Sequence, residues 1–372
     1  MNHINHNIPP RIIIGSGGTG GHIYPGIAIA NELKKKIPKI DILFIGSKNH
    51  MEMREIPRFG YSIEEICISG GINKFFSMSA WIVSMQLIYS LFLANKIIKK
   101  FSPDIVIGTG GFVSFPTLYA AKKNKIPILI QEQNSFPGLT NRIFSRYANK
   151  ICIAYEQAKK YFPKEKTVVT GNPVRSEILQ QLPSKEKACI HLGLKRTKPI
   201  ILSIGGSQGS NSMNKAWIKG LKKIIEWDMQ LIWQVGKLDF HKIKKDKISH
   251  HSNIIFMEFI ENIPVYYAAA DIIVSRAGAL TISEICLVGK PYILIPFPGS
   301  SNDHQNKNAK ILEEKKAALI IKNEEIEQKL VNSVIQLVND HNMKEKMTRN
   351  ILKLGKPQAT NDIINEILQI IL

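Results

Sequence analysis

The chain has 372 residues, 44% of them apolar and 22% charged, a globular composition too long for one ordinary core, so two domains are expected. Its four cysteines, Cys67, Cys152, Cys189 and Cys286, form no CxxC pair, which excludes a zinc ribbon and a disulfide framework and fits a reducing compartment. The formal charge of +20 attracts nucleic acid, anionic lipid or phosphorylated substrates without choosing among them, and an Ile-, Lys- and Asn-rich drift of composition explains it equally well.

The polar, Pro-containing stretch Met1–Arg11 has no apolar core segment, so no secretory signal is expected. The first predicted strand is Arg11–Ile14, whose Ile12-Ile13-Ile14 is an apolar run of the kind buried on both faces of a parallel sheet. The glycine loop Gly15–His22 follows, then a helix over Pro25–Lys36 and a second strand over Ile40–Ile45. Glycine admits positive φ and close ligand approach, and a helix N-terminus suits phosphate. Gly15, Gly17 and Gly20 satisfy GxGxxG, yet the second strand ends in Ile45-Gly46-Ser47-Lys48, without the acid that a nicotinamide ribose needs. No Lys-Ser/Thr pair closes the loop, so it is not a P-loop. A tight turn with no ligand is the alternative.

Phe75–Ala94 is a run of twenty residues without a charge, long enough to span a bilayer. It contains Ser77, Ser79, Ser84, Gln86 and Ser90, and a spanning helix would split the first sheet. We therefore expect an interfacial helix whose apolar face touches lipid, flanked by Lys74, Lys96, Lys99 and Lys100; burial against the sheet is the alternative. Further strands are expected at Ile105–Ile107, Ile128–Ile130 and Ile151–Ile153, the first of them running into the glycine cluster Gly108-Thr109-Gly110-Gly111. Gly171-Asn172-Pro173-Val174 punctuates the chain as a connector.

The second half repeats the pattern. Strand Ile200–Ile204 leads into the loop Gly205–Ser210, and later strands are expected over Leu231–Val235, Ile254–Phe256, Ile272–Val274 and Tyr292–Ile295. Ser275–Glu284 turns from a strand into a helix through small residues. Glu284 there either complements the helix dipole or accepts the two hydroxyls of a ribose. The polar loop Gly299–Asn308 carries Asp303, His304, Gln305 and Asn308, which either read sugar hydroxyls or are merely solvated. Past a break at Gly355-Lys356-Pro357, Thr360–Leu372 reads as an amphipathic helix with Ile363, Ile364, Ile367, Leu368 and Ile371 on one stripe. Such a helix can pack on either domain, and we assign it to the first. The expected division is residues 1–172, completed by 358–372, and residues 173–357. Strand and helix alternate throughout, so each half is expected to be a Rossmann-like, doubly wound α/β domain with a parallel sheet, the two facing across a cleft lined by the glycine loops.

Taken together, Gly15–His22, Gly108–Phe112, Gln131-Glu132-Gln133-Asn134, Gly205–Ser210 and Arg276–Thr281 with Glu284 resemble the MurG family of bacterial N-acetylglucosaminyltransferases, in one order over nearly the whole chain. The resemblance implies the GT-B architecture and a role in peptidoglycan synthesis, and with it cell shape and division. It implies transfer from UDP-N-acetylglucosamine to the C4 hydroxyl of the muramoyl sugar of an undecaprenyl-pyrophosphoryl acceptor, lipid I. The products are lipid II and UDP, and the anomeric centre is inverted. It implies no cofactor and no metal, and a peripheral place on the cytoplasmic face of the inner membrane against an anionic surface. Thr19, Gly20, Gly21 and Asn134 would touch the donor. Arg175 and Ser207 would hold its phosphates, and Ile260 would offer backbone to uracil. Ala279, Leu280, Thr281, Ile282, Ser283 and Glu284 would hold ribose and diphosphate. Gln305 or its neighbour would read the acetamido sugar. Gly17, Gly18, Gly110 and Gly111 are candidates for the acceptor phosphate. His22 is either the base that takes the hydroxyl proton or a group that only positions substrate.

Two other readings compete. One is a UDP-sugar epimerase, or another transferase, of the same architecture. The other is a nucleic-acid-binding protein, against which stands the absence of any RNP-type, zinc-finger or helix-turn-helix pattern.

Overall fold

A computed structural model of the chain describes residues 9–68, 80–175, 178, 180–206 and 208–371, with backbone alone at 80–83, 247 and 248. The chain divides into two compact units, Met1–Val174 with Gln358–Leu372, and Arg175–Pro357.

The first unit is built on a parallel sheet in the order β3-β2-β1-β4-β5-β6-β7. Its strands are β1 (Arg11–Ser16), β2 (Asp41–Ser47), β3 (Ser62–Ile66), β4 (Ile105–Gly110), β5 (Ile128–Glu132), β6 (Lys150–Ile153) and β7 (Thr167–Val169). The apolar runs are explained by burial on both faces. Ile12, Ile14, Ile105 and Ile107 point into one cluster, Ile13 and Val106 into the other. Successive side chains alternate across a sheet, so a strand covered by helices on both sides must be apolar at every position.

The second unit repeats this with β8 (Ile200–Ile204), β9 (Gln230–Gln234), β10 (Ile254–Met257), β11 (Ile272–Ser275), β12 (Tyr292–Leu294) and β13 (Leu319–Ile320), in the order β10-β9-β8-β11-β12-β13, all parallel. Leu202 and Ile204 face one cluster and Ile201 the other.

Three strands were not anticipated, β3, β7 and β13, and each is a sheet edge. Ser62–Ile66 carries Glu64 and Glu65, and only Ile66 is buried. Polar edges resist pairing with other chains, and they lack the apolar run that marks an interior strand.

Two element boundaries also move. The first helix begins at Gly20, not Pro25, and takes Pro25 inside it. The loop expected over 299–308 is shorter, because a helix His304–Glu314 starts within it.

The helix Ala359–Ile371 belongs to the first unit, where Ile363, Ile364, Ile367 and Ile371 join the cluster of Ile23, Ile27 and Leu33 from the helix Gly20–Lys36. An ion pair, Lys150–Glu366 (2.8 Å), joins the helix to the start of β6.

Of the uncharged run 75–94, residues 75–79 lie outside the described residues, as does Lys74. The rest falls in the helix Ala80–Phe101. Ser90, Ala94 and Ile98 are buried on one face, with Ser90 Oγ donating to Cys67 O (2.7 Å). Met85, Ile88, Tyr89 and Phe92, spaced as one stripe of a helix, are 58%, 67%, 53% and 63% exposed. No described helix is long and apolar enough to cross a membrane.

Candidate active site

Both sheets gather their candidate residues where the strands end. In the first unit β1 pairs with β4, and the register shifts between Gly15 and Ser16, so that Gly15 faces Gly108 and Ser16 faces Gly110. That pairing sets the first glycine loop beside the Gly108–Gly111 cluster. The approach is closer than any side chain permits: a Cβ on Gly111 would lie 2.0 Å from Gly17 O, and Gly111 has φ +83°.

His22 sits in the first turn of the helix Gly20–Lys36 and is held from several sides. Its carbonyl accepts from Ser16 Oγ (2.8 Å) and Thr109 Oγ1 (2.9 Å). Its ring rests on Gly110, where a Cβ would come within 2.6 Å of Nδ1. Nδ1 lies 3.1 Å from Thr109 O and 2.9 Å from Gln133 Oε1. Gln133 Nε2 donates to Thr109 O (2.7 Å) and to Gln131 O (3.2 Å), which turns Oε1 toward the imidazole. Both neighbours of Nδ1 are acceptors, so Nδ1 carries a proton and the lone pair of the neutral ring is at Nε2. The network continues through Gln131 to Asn172 Oδ1 (3.1 Å), whose amide returns to Gln133 O (3.1 Å).

Two buried carboxylates brace these loops, and sequence reasoning assigned neither a role. Glu52 accepts from Ser47 N (3.0 Å) and Gly18 N (3.1 Å). Glu132 accepts from Asn134 N (2.9 Å), Gly138 N (3.0 Å) and Asn141 Nδ2 (2.8 Å). The acceptor-phosphate candidates thus have internal partners at two amides, Gly18 to Glu52 and Gly110 to Ser114 Oγ (3.0 Å). The N-terminus of the helix Gly20–Lys36 carries no acid in its first turn, and Thr19 makes no side-chain cap. That end therefore keeps the positive polarity of its dipole.

In the second unit Glu284 is buried, with Oε1 accepting from Arg175 Nη2 (3.2 Å) and Oε2 from Tyr267 Oη (2.9 Å). Burial, and the Glu284 charge beside it, push the Tyr267 hydroxyl well above its ordinary range, so it stays a donor. The helix Ala279–Val288 has no acid in its first turn, which removes the reading of Glu284 as a dipole complement, because that effect fades within one turn. Ala279, Leu280 and Thr281 form this first turn behind Gly278, which supplies no side-chain cap, while Ile282 is buried and Ser283 Oγ donates to Ala279 O (3.0 Å). Ile260 N donates to Gln234 Oε1 (3.3 Å), and Gln234 Nε2 donates to Gly206 O (2.8 Å). Gln234 thereby ties the second glycine loop to Ile260, a role that its place in an apolar strand hid. Ser207 lies outside the described residues.

Gln305 stands in the first turn of the helix His304–Glu314, its Oε1 accepting from Phe297 N (2.9 Å). Two left-handed residues, Asn302 (φ 52°) and Asp303 (φ 57°), precede that helix.

Arg276 is mostly buried, and burial lowers its pKa to about 10, which leaves it charged at neutral pH. Nη1 donates to Ile295 O (3.2 Å), Pro296 O (3.2 Å) and Asn323 Oδ1 (2.9 Å). Nη2 donates to Ser210 Oγ (2.7 Å) and Ser212 Oγ (2.8 Å). Among the described residues, no group of three or more His, Cys, Asp or Glu side chains could hold a metal ion.

Residues 12–153 match the glycosyltransferase family 28 N-terminal domain, and residues 200–366 match the C-terminal domain of the same family. A protein of Christiangramia forsetii is 45% identical over 97% of this chain and 98% of its own length. It is named UDP-N-acetylglucosamine--N-acetylmuramyl-(pentapeptide) pyrophosphoryl-undecaprenol N-acetylglucosamine transferase. The crystal structure of Acinetobacter baumannii MurG superposes with a TM-score of 0.76 at 25% identity, covering 97% of this chain and 100% of that one. A UDP-N-acetylglucosamine 2-epimerase structure superposes with a TM-score of 0.65 at 16% identity, over 97% of this chain and 96% of that one, a likeness of fold alone.

Proposed function

The chain belongs to the MurG family within glycosyltransferase family 28, and on that premise we propose the reaction its residues carry out. It transfers N-acetylglucosamine from UDP-N-acetylglucosamine to the C4 hydroxyl of the muramoyl sugar of lipid I, giving lipid II and UDP. The observation that carries this reading is the 45% identity over nearly the whole of both chains. The epimerase alternative shares the architecture only, at 16% identity.

The chemistry is a single displacement. The acceptor oxygen bonds to the anomeric carbon from the face opposite the nucleotide as the bond to the diphosphate oxygen breaks. The configuration therefore inverts, and the electron pair leaves on UDP. The hydroxyl proton goes to Nε2 of His22, the nitrogen left unprotonated by the hydrogen bonds at Nδ1. Arg175, Ser207 and the first turn of the helix Ala279–Val288 receive the growing charge on the diphosphate. Glu284 accepts the ribose hydroxyls, the carbonyl of Ile260 meets uracil, and Gln305 reads the acetamido sugar. Thr19, Gly20, Gly21 and Asn134 contact the donor from the first unit. A phosphate of the acceptor at Gly17, Gly18, Gly110 and Gly111 would lie beside the Glu52 carboxylate, or replace it at the Gly18 amide. Purified protein given labelled UDP-N-acetylglucosamine and a lipid I analogue in detergent should move label to the lipid. Label recovered in a different free sugar nucleotide would sink the reading.

The protein meets the cytoplasmic face of the inner membrane peripherally, through the helix Ala80–Phe101. Its exposed apolar stripe runs into Lys96, Lys99 and Lys100, all exposed. Such a face inserts at the headgroup level while its lysines meet anionic lipid. Ile88→Glu with Phe92→Glu should lower binding to vesicles containing phosphatidylglycerol by at least ~10-fold, with folding unchanged. Co-sedimentation measures this, and undiminished binding refutes it.

A further inference from the structure

β8 and β11 are neighbours in the second sheet, with Ser275 opposite Ile204. Each runs into a helix N-terminus, Asn211–Glu226 and Ala279–Val288. Arg276 lies between these two ends. Its backbone N–H donates to Ile204 O (3.4 Å), and its guanidinium donates to Ser210 and Ser212 at the start of one helix. Gly278, the residue that opens the other helix, follows two positions later. The same guanidinium reaches Ile295 and Pro296 beyond β12 and Asn323 beyond β13. It therefore ties together the carboxyl ends of four adjacent strands, β8, β11, β12 and β13.

Every one of these acceptors is neutral, and among the described residues no carboxylate lies within ion-pair distance of Arg276. A buried charge without a counter-charge is expensive, and proteins normally pair it. Neutral dipoles solvate the guanidinium but leave its net charge uncancelled, so its field extends beyond the loops it holds.

We propose that Arg276 is a positioning residue for the diphosphate of the donor, a partly buried cation whose counter-charge is supplied by the ligand. The inference rests on the donor reading above and adds to it. The uncancelled charge of Arg276 acts on the phosphates at the start of the helix Asn211–Glu226, whose Ser210 and Ser212 it holds in place. It has no corresponding action on the nucleoside.

The test separates phosphate from nucleoside. UDP and uridine are titrated up to millimolar concentration against wild type, Arg276→Met, Arg276→Lys and Asn323→Asp. In wild type Asn323 Oδ1 stands 2.9 Å from Nη1, so the aspartate places a carboxylate against the guanidinium and cancels its charge while the hydrogen bonds persist. Arg276→Met and Asn323→Asp should each weaken UDP by ~10-fold or more and leave uridine within ~2-fold. Arg276→Lys, which keeps the charge but not the five hydrogen bonds of the guanidinium, should weaken UDP less than Arg276→Met does. Asn323→Asp decides the matter if Arg276→Met fails to fold by circular dichroism. Equal losses for UDP and uridine, or unchanged UDP binding in Asn323→Asp, overturn the proposal. Wild type that binds neither ligand overturns instead the donor reading on which it rests.

Discussion

In the first unit the loops at the carboxyl ends of the strands are braced by buried carboxylates, Glu52 and Glu132. In the second they are braced by a partly buried guanidinium, Arg276. The backbone problem is the same in both, since glycine-rich turns leave amides and carbonyls that need partners. The charge chosen to meet it is opposite. A loop set around a carboxylate repels an anion, whereas one set around a cation attracts a diphosphate. The two halves of one architecture thus differ most where a ligand would come.

The sharpest way to probe the comparison is His22, the one titratable group of the first unit's loops assigned to the chemistry. His22→Gln should lower kcat by ~10²- to 10⁴-fold if it is the base. The donor KM should stay near wild type in steady-state transfer assays. A fall of less than ~10-fold in kcat would leave His22 a positioning group.

On the cationic side, Glu284 is the exception that the comparison must absorb, a carboxylate paired with Arg175 and Tyr267. Glu284→Gln removes the charge but keeps the shape. It should raise the donor KM by ~10- to 100-fold, the worth of hydrogen bonds to a charged group, with a smaller effect on kcat. An unchanged KM would remove the ribose assignment.

The smallest effect, and the one able to break the comparison, belongs to Glu52→Gln. An amide offers one acceptor oxygen where the carboxylate offers two, so stability should fall by about 1–3 kcal/mol, read as a lower denaturant midpoint. If an acceptor phosphate approaches Gly17 and Gly18, removing the negative charge should also lower the acceptor KM a few-fold. An unaltered acceptor KM would place that phosphate elsewhere.

What the sequence disclosed follows the same physics. Interior strands such as Ile12–Ile14 and Ile200–Ile204 announce themselves because both faces are buried, and apolar runs have few other uses. The edges Ser62–Ile66, Thr167–Val169 and Leu319–Ile320 are short or partly polar and carry no such mark. The helix at Gly20 is hidden by its own glycines, which read as loop, and by Pro25, which reads as a start. His22 and Glu284 were found as members of local motifs. Glu52 and Gln234 were not, because their partners lie on other loops, such as Gly18, 34 positions from Glu52, and Gly206, 28 from Gln234. Arg276 was seen as part of a small-residue turn, and the partners of its side chain, up to 66 positions away, gave it no local signature.

The helix Ala359–Ile371 supplies four isoleucines to a core whose other members begin at Ile12. On the ribosome, those members are made first and the helix only after all of Arg175–Pro357. During synthesis the early half must wait with an uncovered apolar groove while the later half, whose residues are contiguous, has everything it needs to fold. The core of the first unit is therefore closed only by the last segment to be translated, whereas that of the second needs nothing beyond its own contiguous residues.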